Sequence, residues 1–190
     1  MINSQTQQTT DLIVAGAGPA GMAAAIAAAR QGAKVLLLEK LSSPGAKLKA
    51  TGGGRCNLAS NLSNEEIMQR FGRDGRFMTP ALQACDCNRL IEFMAEIGVA
   101  CHIPDGMRVF PKDHNAGTVL SALEAEIRRL NIELHCSQTI DALIIEAGKI
   151  RGVSCNNKLF PARSVILATG GRGYPALGSD GSGLKLAAAA

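Results

Sequence analysis

Three glycines, Gly16, Gly18 and Gly21, are spaced as GAGPAG directly after an apolar run from Leu12 to Ala15. A second apolar run, Val35 to Leu38, ends on Glu39, 23 residues after Gly16. Glycines at such a turn let a pyrophosphate approach the main chain where side chains would hold it off. Pro19 suits the first position of a helix, whose unpaired N–H groups then face an anion. Ala20 completes the turn, and Gly21 lets the helix lie close to the strand. A carboxylate at Glu39 accepts hydrogen bonds from an adenosine ribose and repels a 2′-phosphate, which disfavours NADP. Together these residues predict a strand-helix-strand dinucleotide site. Its residues alone leave FAD and NAD both open.

A second chemical feature follows. Residues 40–64 carry Lys40, Lys47, Lys49 and Arg55 without a carboxylate, and contain the run Thr51-Gly52-Gly53-Gly54-Arg55-Cys56-Asn57. Consecutive glycines expose main-chain N–H groups, and a guanidinium adds a planar fork for phosphate or carboxylate. The expectation is a second anion cradle, against the alternative of a basic surface loop. Cys56 is read as a packed thiol ahead of a redox neighbour of a cofactor. Arg108, Lys112 and His114 are read as solvated charges ahead of substrate contacts.

Composition bounds the rest. The chain has 190 residues, 46% of them hydrophobic, enough for a sizeable core and most simply one domain with an elaborated loop region. Its apolar runs are short and its first ten residues polar and uncharged, which predicts neither a membrane span nor a secretory signal and makes the cytoplasm the expected location. The six cysteines form no CxxC pair, and the three histidines lack mutual ligand spacing, so no metal is expected. A net charge of +4, no Trp and one Tyr argue against nucleic acid as a partner.

These groups need elements to position them. The pattern predicts a strand at 12–15, an alanine-rich helix from Pro19 to Arg30 ended by Gly32, and a strand at 35–38. Helical segments follow from Asn64 to Gly98, with Leu90, Ile91, Phe93, Met94 and Ile97 as a core stripe. Short strands flank a turn at Pro104-Asp105-Gly106, and an amphipathic helix starts near Asn115. Short runs at 132–136, 140–146, 150–155, 158–160 and 164–167 read as a β-meander returning to a buried strand, which ends at Thr169-Gly170-Gly171, a second glycine turn of the kind where ligands collect.

With GAGPAG and Glu39, the segments TGGGRCN at 51–57, VFPKDHNAGTVLSAL from Val109 and LATGGRGYPALGSDGSG from Leu167 resemble the aminoacetone-oxidase-like FAD-binding flavoproteins of the YhiN/BaiN type. The first and last motifs are shared by many flavoproteins with two dinucleotide-binding domains; the TGGGRCN and VFP segments point to this family. The resemblance implies an α/β fold: a Rossmann-like FAD-binding domain with a parallel central sheet, a β-meander and a helical insertion. It would occupy residues 11–190, behind a disordered polar tail at 1–10. It implies FAD in extended form, with adenosine toward Gly16, Gly18, Gly21 and Glu39. The pyrophosphate and ribityl chain would run near Lys47 and the loop of Thr51, Gly53, Gly54, Arg55, Cys56 and Asn57. Thr169, Gly170 and Gly171 would lie alongside, Ile140 would clamp adenine through main-chain groups, and Lys40 joins the candidate contacts. Family members are about twice as long.

The expected function is an FAD-dependent oxidoreductase that exchanges a hydride with a small substrate, with NAD(P)H as a candidate electron donor. No residue stands out as catalytic acid or base. The rivals are a fumarate-reductase or aspartate-oxidase type flavoprotein, a nucleotide-binding module without turnover, and a tRNA-modifying flavoprotein. Oligomeric state stays open.

Overall fold

The computed structural model describes residues 10–190. The polar tail expected at 1–10 lies outside the described residues as far as residue 9; Thr10 already belongs to the first strand. The elements run β1 (Thr10–Ala15), α1 (Pro19–Arg30), β2 (Val35–Leu38), α2 (Ala46–Ala50), β3 (Ala59–Ser60), α3 (Asn64–Arg70), α4 (Thr79–Ala84), α5 (Cys87–Glu96), β4 (Cys101–His102), β5 (Arg108–Pro111), α6 (Ala116–Arg129), β6 (Glu133–His135), β7 (Ile140–Glu146), β8 (Lys149–Cys155), β9 (Lys158–Leu167) and α7 (Ser182–Ala188). They form two compact units: one is built up to Lys47 and again from Glu124 to Ala190, and the other is the insertion Leu48–Leu123.

In the first unit a six-stranded sheet has the order β6-β2-β1-β9-β8-β7. β6, β2, β1 and β9 are parallel, and β9, β8 and β7 form the antiparallel meander. This is the Rossmann-like α/β fold. The Val/Leu/Ile runs of β1 and β2 suit strands covered on both faces, and all of β2 is buried. Ile13, Leu36, Leu38, Val153, Phe160 and Ala162 share one core cluster, so the meander seals one face of the parallel strands. In α1 the buried residues are Gly21, Met22, Ala25 and Ile26. Burying Met22 and Ile26 contributes about 1.5–3 kcal/mol each, while the alanines favour the helix and let it lie close. At the far end of α1, Arg30 and Arg129 grip the buried Glu126 of α6 (Arg30 Nη2 to Oε1 2.8 Å, Arg129 Nε to Oε2 2.6 Å).

Two expectations change here. Residues 158–160 and 164–167 are one strand that continues through Pro161. Residues 158–161 pair with β8 and residues 162–167 with β1. Proline sits where β9 changes partner, so its missing N–H interrupts neither ladder. The strand is also only partly buried, with Ile166 39% exposed.

In the inserted unit, α3 opens with a capping box between Ser63 and Glu66, and Asp86 caps α5 by accepting the Arg89 N–H at 2.8 Å. β3, β5 and β4 make a three-stranded antiparallel sheet. The α5 stripe expected to be core is half-buried except at Met94, which alone in α5 is fully buried. Among the described residues no helix is long and apolar enough to cross a membrane, and no group of three His, Cys, Asp or Glu could hold a metal ion.

Candidate functional site

The C-terminal ends of β1, β2 and β9 meet in the first unit around a cavity of about 270 Å³. Gly16 has φ +101°, and a Cβ there would lie 2.7 Å from the Ala168 carbonyl oxygen that follows β9. Gly21 has a different reason: a Cβ would meet the Gly16 oxygen at 1.8 Å, so glycine is what allows α1 to seat on the turn. Gly18 has an ordinary φ of −78°, which any residue adopts. A Cβ at Gly18 would meet nothing within 4 Å, and the residue lines the cavity. The turn therefore needs a left-handed residue once, at Gly16, and open space at Gly18. Gly18 is the N-cap of α1 with no side-chain cap bond, and Pro19 follows. The N–H groups of the first turn have no intrahelical partner and carry the positive end of the helix dipole.

Glu39 is 8% exposed. Its Oε2 accepts the Ala17 N–H at 2.7 Å and its Oε1 the Leu41 N–H at 2.9 Å. A carboxylate has about four lone-pair sites; the two backbone N–H groups engage two of them.

Of the expected site residues, Gly16, Gly18, Pro19, Ala20 and Glu39 line this cavity. So do Lys40, Lys47, Ile140, Thr169 and Gly170. Gly21 stands behind the turn, and Gly171 does not line the cavity; its carbonyl accepts the Gly181 N–H at 3.0 Å. Lys40 pairs with Asp180 at 2.8 Å and holds that carboxyl well below its ordinary range. Lys47 donates to the Gly173 carbonyl at 3.2 Å and to Ser179 Oγ. Ile140 opens β7 next to a register shift. Sequence reasoning missed Gln138, Thr139, Leu177 and Ser179, which also line the cavity. Ser179, a polar residue only 3% exposed, carried no signal beyond its place in the LGSDG run.

The TGGGRCN segment belongs to the inserted unit. Residues 51–54 form a 3-10 turn in which Gly52, Gly53 and Gly54 all have positive φ. Cys56 N–H donates to the Thr51 carbonyl at 2.9 Å, Arg55 Nε to the Gly52 carbonyl at 3.2 Å, and Asn57 is exposed. Cys56 is fully buried, and burial together with nearby Cys101 pushes its thiol up to about 11. It is a protonated, packed thiol. Arg108 and Lys112 are exposed as expected, but His114 is not a solvated charge: it is half-buried, with its Nε2 2.8 Å from His102 Nε2.

Strand, glycine turn, helix, second strand and buried acid around one cavity define a dinucleotide-binding α/β protein of the Rossmann type. The family model described as "HI0933-like protein Rossmann domain" matches residues 10–190. The chain belongs to this family of FAD-binding flavoproteins. It is 36% identical over 176 residues to the 3-dehydro-bile acid delta(4,6)-reductase of Clostridium scindens, covering 92% of this chain and 42% of that protein. It is 29% identical over 178 residues to the ribosomal RNA dihydrouridine synthase of Escherichia coli K12, covering 93% and 43%. The chain thus spans less than half the length of these curated relatives. Among solved structures, the open conformation of a flavocytochrome c3 fumarate reductase superposes with a TM-score of 0.70 at 19% identity, covering 96% of this chain and 40% of that one. A 3-ketosteroid-delta4-(5alpha)-dehydrogenase from Rhodococcus jostii RHA1 gives 0.66 at 21%, covering 89% and 47%. At these identities the likeness is one of fold.

Proposed function

We propose that this chain is the FAD-holding part of an oxidoreductase acting on a small organic substrate. The observation that carries the reading is Gly18, open toward the cavity beside the α1 N-terminus where a side chain would occupy a diphosphate's place, with Glu39 fixed beside it. FAD, when bound, supplies hydride exchange. The chain's own residues bind and orient it. The turn and first-turn N–H groups hold the diphosphate, Glu39 accepts from ribose hydroxyls, Ile140 offers main-chain groups to adenine, and Lys47 presents a cation beside Gly170. Thr51, Gly53, Gly54, Arg55, Cys56 and Asn57 are proposed as further cofactor contacts. Relatives named as a bile acid reductase and as a probable electron transfer flavoprotein-quinone oxidoreductase support redox chemistry. NAD(P)H is the proposed electron donor. The cytoplasm is the proposed site of action, since all six cysteines are free thiols, the state of a reducing compartment.

The test is the visible absorption spectrum of purified protein with mass analysis of any released cofactor. A flavin spectrum and the mass of FAD are expected. Colourless protein that FAD cannot reconstitute removes the reading.

A second reading, an RNA substrate, is favoured by exposed side chains of the inserted unit. Arg70, Arg73 and Arg76 are exposed there together with Phe71 (58%) and Phe77 (88%), the mix of cations and aromatic faces that single-stranded nucleic acid uses. A relative named as a ribosomal RNA dihydrouridine synthase points the same way. RNA binding that falls steeply with salt supports it, and its absence at low salt removes it.

A further inference from the structure

The cofactor cavity is lined by residues 39–41 and 45–47 from the segment after β2, and by residues 168–170 and 177–179 from the segment after β9. Side chains tie the two segments together. Lys40 Nζ lies 2.8 Å from Asp180 Oδ2, and Lys47 donates to Ser179 Oγ and, at 3.2 Å, to the Gly173 carbonyl. A Cβ at Gly178 would stand 3.2 Å from Leu41 Cδ1, so the main chain there rests directly on the Leu41 side chain. Both lysines come from the first segment, and these partners all come from the second.

The second segment is built to move as one piece. Gly181 N–H donates to the Gly171 carbonyl at 3.0 Å, so residues 171–181 leave the fold and return to it at one place, as a closed loop does. Inside the loop Leu177 N–H donates to the Tyr174 carbonyl and Gly178 N–H to the Pro175 carbonyl, each at 2.9 Å. Gly170 and Gly181, at its two ends, have φ +76° and +80°, backbone that turns with little steric resistance. The cavity it helps to line measures about 270 Å³. That is below the roughly 300–1,000 Å³ of sites for drug-sized ligands, and a dinucleotide is larger still. The Lys40–Asp180 pair is partly exposed and therefore weak, whereas the Ser179 hydroxyl under Lys47 is buried and holds more firmly.

We propose that residues 171–181 form a strap over the cofactor cavity, latched by Lys40 on Asp180 and by Lys47 on Ser179 and Gly173, which must unlatch for FAD to enter or leave. The proposal rests on the FAD reading of this cavity. Asp180 and Ser179 are its positioning residues, since they act by holding the strap shut. If FAD passes only through the unlatched form, association and release both scale with the fraction of time the strap is open. Loosening the latch therefore speeds both, whereas loss of an ordinary cofactor contact speeds release alone.

The test uses the full chain, two variants and their double. Asp180→Asn removes the charge and keeps an oxygen for the Ser182 N–H, which Asp180 Oδ1 accepts at 3.0 Å. Ser179→Ala removes the hydroxyl under Lys47. Trypsin reads the strap without any cofactor, because the Arg172–Gly173 bond lies within it and Arg172 is exposed. Cleavage there, followed by peptide mass, is expected to be about threefold faster in each variant and about tenfold faster in the double, and to be slowed by FAD. Stopped-flow mixing with FAD is expected to show association and release rising together by similar factors, with Kd within about twofold of the unaltered chain. A double variant whose cleavage or FAD association stays within about twofold of the unaltered chain overturns the strap, and so does faster release with unchanged association. If the unaltered chain does not bind FAD at all, the flavin reading fails and takes the strap with it; bound FAD with unchanged rates sinks the strap alone.

Discussion

Glu39 reaches back from the end of β2 to accept the Ala17 N–H at 2.7 Å, so the carboxylate that would hold a ribose also braces the turn that would hold the diphosphate. Its other oxygen takes the Leu41 N–H, leaving the group little freedom to turn away. Two functions on one side chain predict a compound effect of mutation. Glu39→Ala should lower stability by about 2 kcal/mol, because hydrogen bonds to a charged group are lost and a buried N–H is left unpaired, and should also weaken FAD. Glu39→Gln should lose less stability than the alanine variant, since its one amide oxygen can still accept from one of the two N–H groups, and should also lose affinity. Denaturant melts and FAD titrations of the two variants separate the roles; equal loss of stability in both contradicts the bracing role.

The glycines of the turn should fail in different ways. Gly18→Val places its side chain in open cavity, so the protein should fold with an unchanged melting temperature and bind FAD at least about a hundredfold more weakly, a loss of roughly 2.7 kcal/mol. Gly21→Val brings a Cβ against the Gly16 carbonyl and should displace α1, lowering the melting temperature itself. Circular dichroism melts alongside FAD binding check both; full affinity in Gly18→Val is the adverse result.

Acid should loosen the junction of α1 and α6. Arg129 and Arg30 hold the Glu126 carboxyl down from 4.5 to about 2. A depressed carboxyl stabilises the fold fully above its unfolded value and loses that contribution as pH falls from about 4.5 toward about 2. Glu126→Gln should therefore cost about 1–3 kcal/mol at pH 7 and much less at pH 3. Stability curves of both proteins across that range test it; a gap that stays constant with pH contradicts the pairing.

The thiols should react unequally. Cys56 is buried with its thiol raised to about 11, whereas Cys85 is exposed. At pH 8 iodoacetamide should label Cys85 and leave Cys56 unmodified until the protein is unfolded. Peptide mass mapping after a short exposure is the measurement, and early labelling of Cys56 is the contrary outcome.

The nucleotide unit was legible because local signals agreed there: apolar runs of strand length, a glycine turn, Pro19 at a helix start and an acid at the right distance. What escaped depended on tertiary pairing. Residues 158–160 and 164–167 read as separate runs, since nothing local shows that one strand, β9, spans both and changes neighbours between them. His102 and His114, twelve positions apart, carry no ligand spacing; they meet through the β4–β5 pairing and a left-handed turn at His114. The α5 stripe had helical period, but period alone does not tell a half-covered helix face from a core.

β1 takes one parallel neighbour from residues 35–38 and the other from residues 162–167, so Ile13 lies beside both Leu36 and Val165. During synthesis the amino-terminal hairpin of strand, helix and strand leaves the ribosome long before β9 exists. Until it arrives, β1 carries a bare hydrogen-bonding edge while the whole inserted unit is made. Nascent chains should therefore need shielding by a chaperone up to about residue 170, and competence to take up FAD should come late and abruptly.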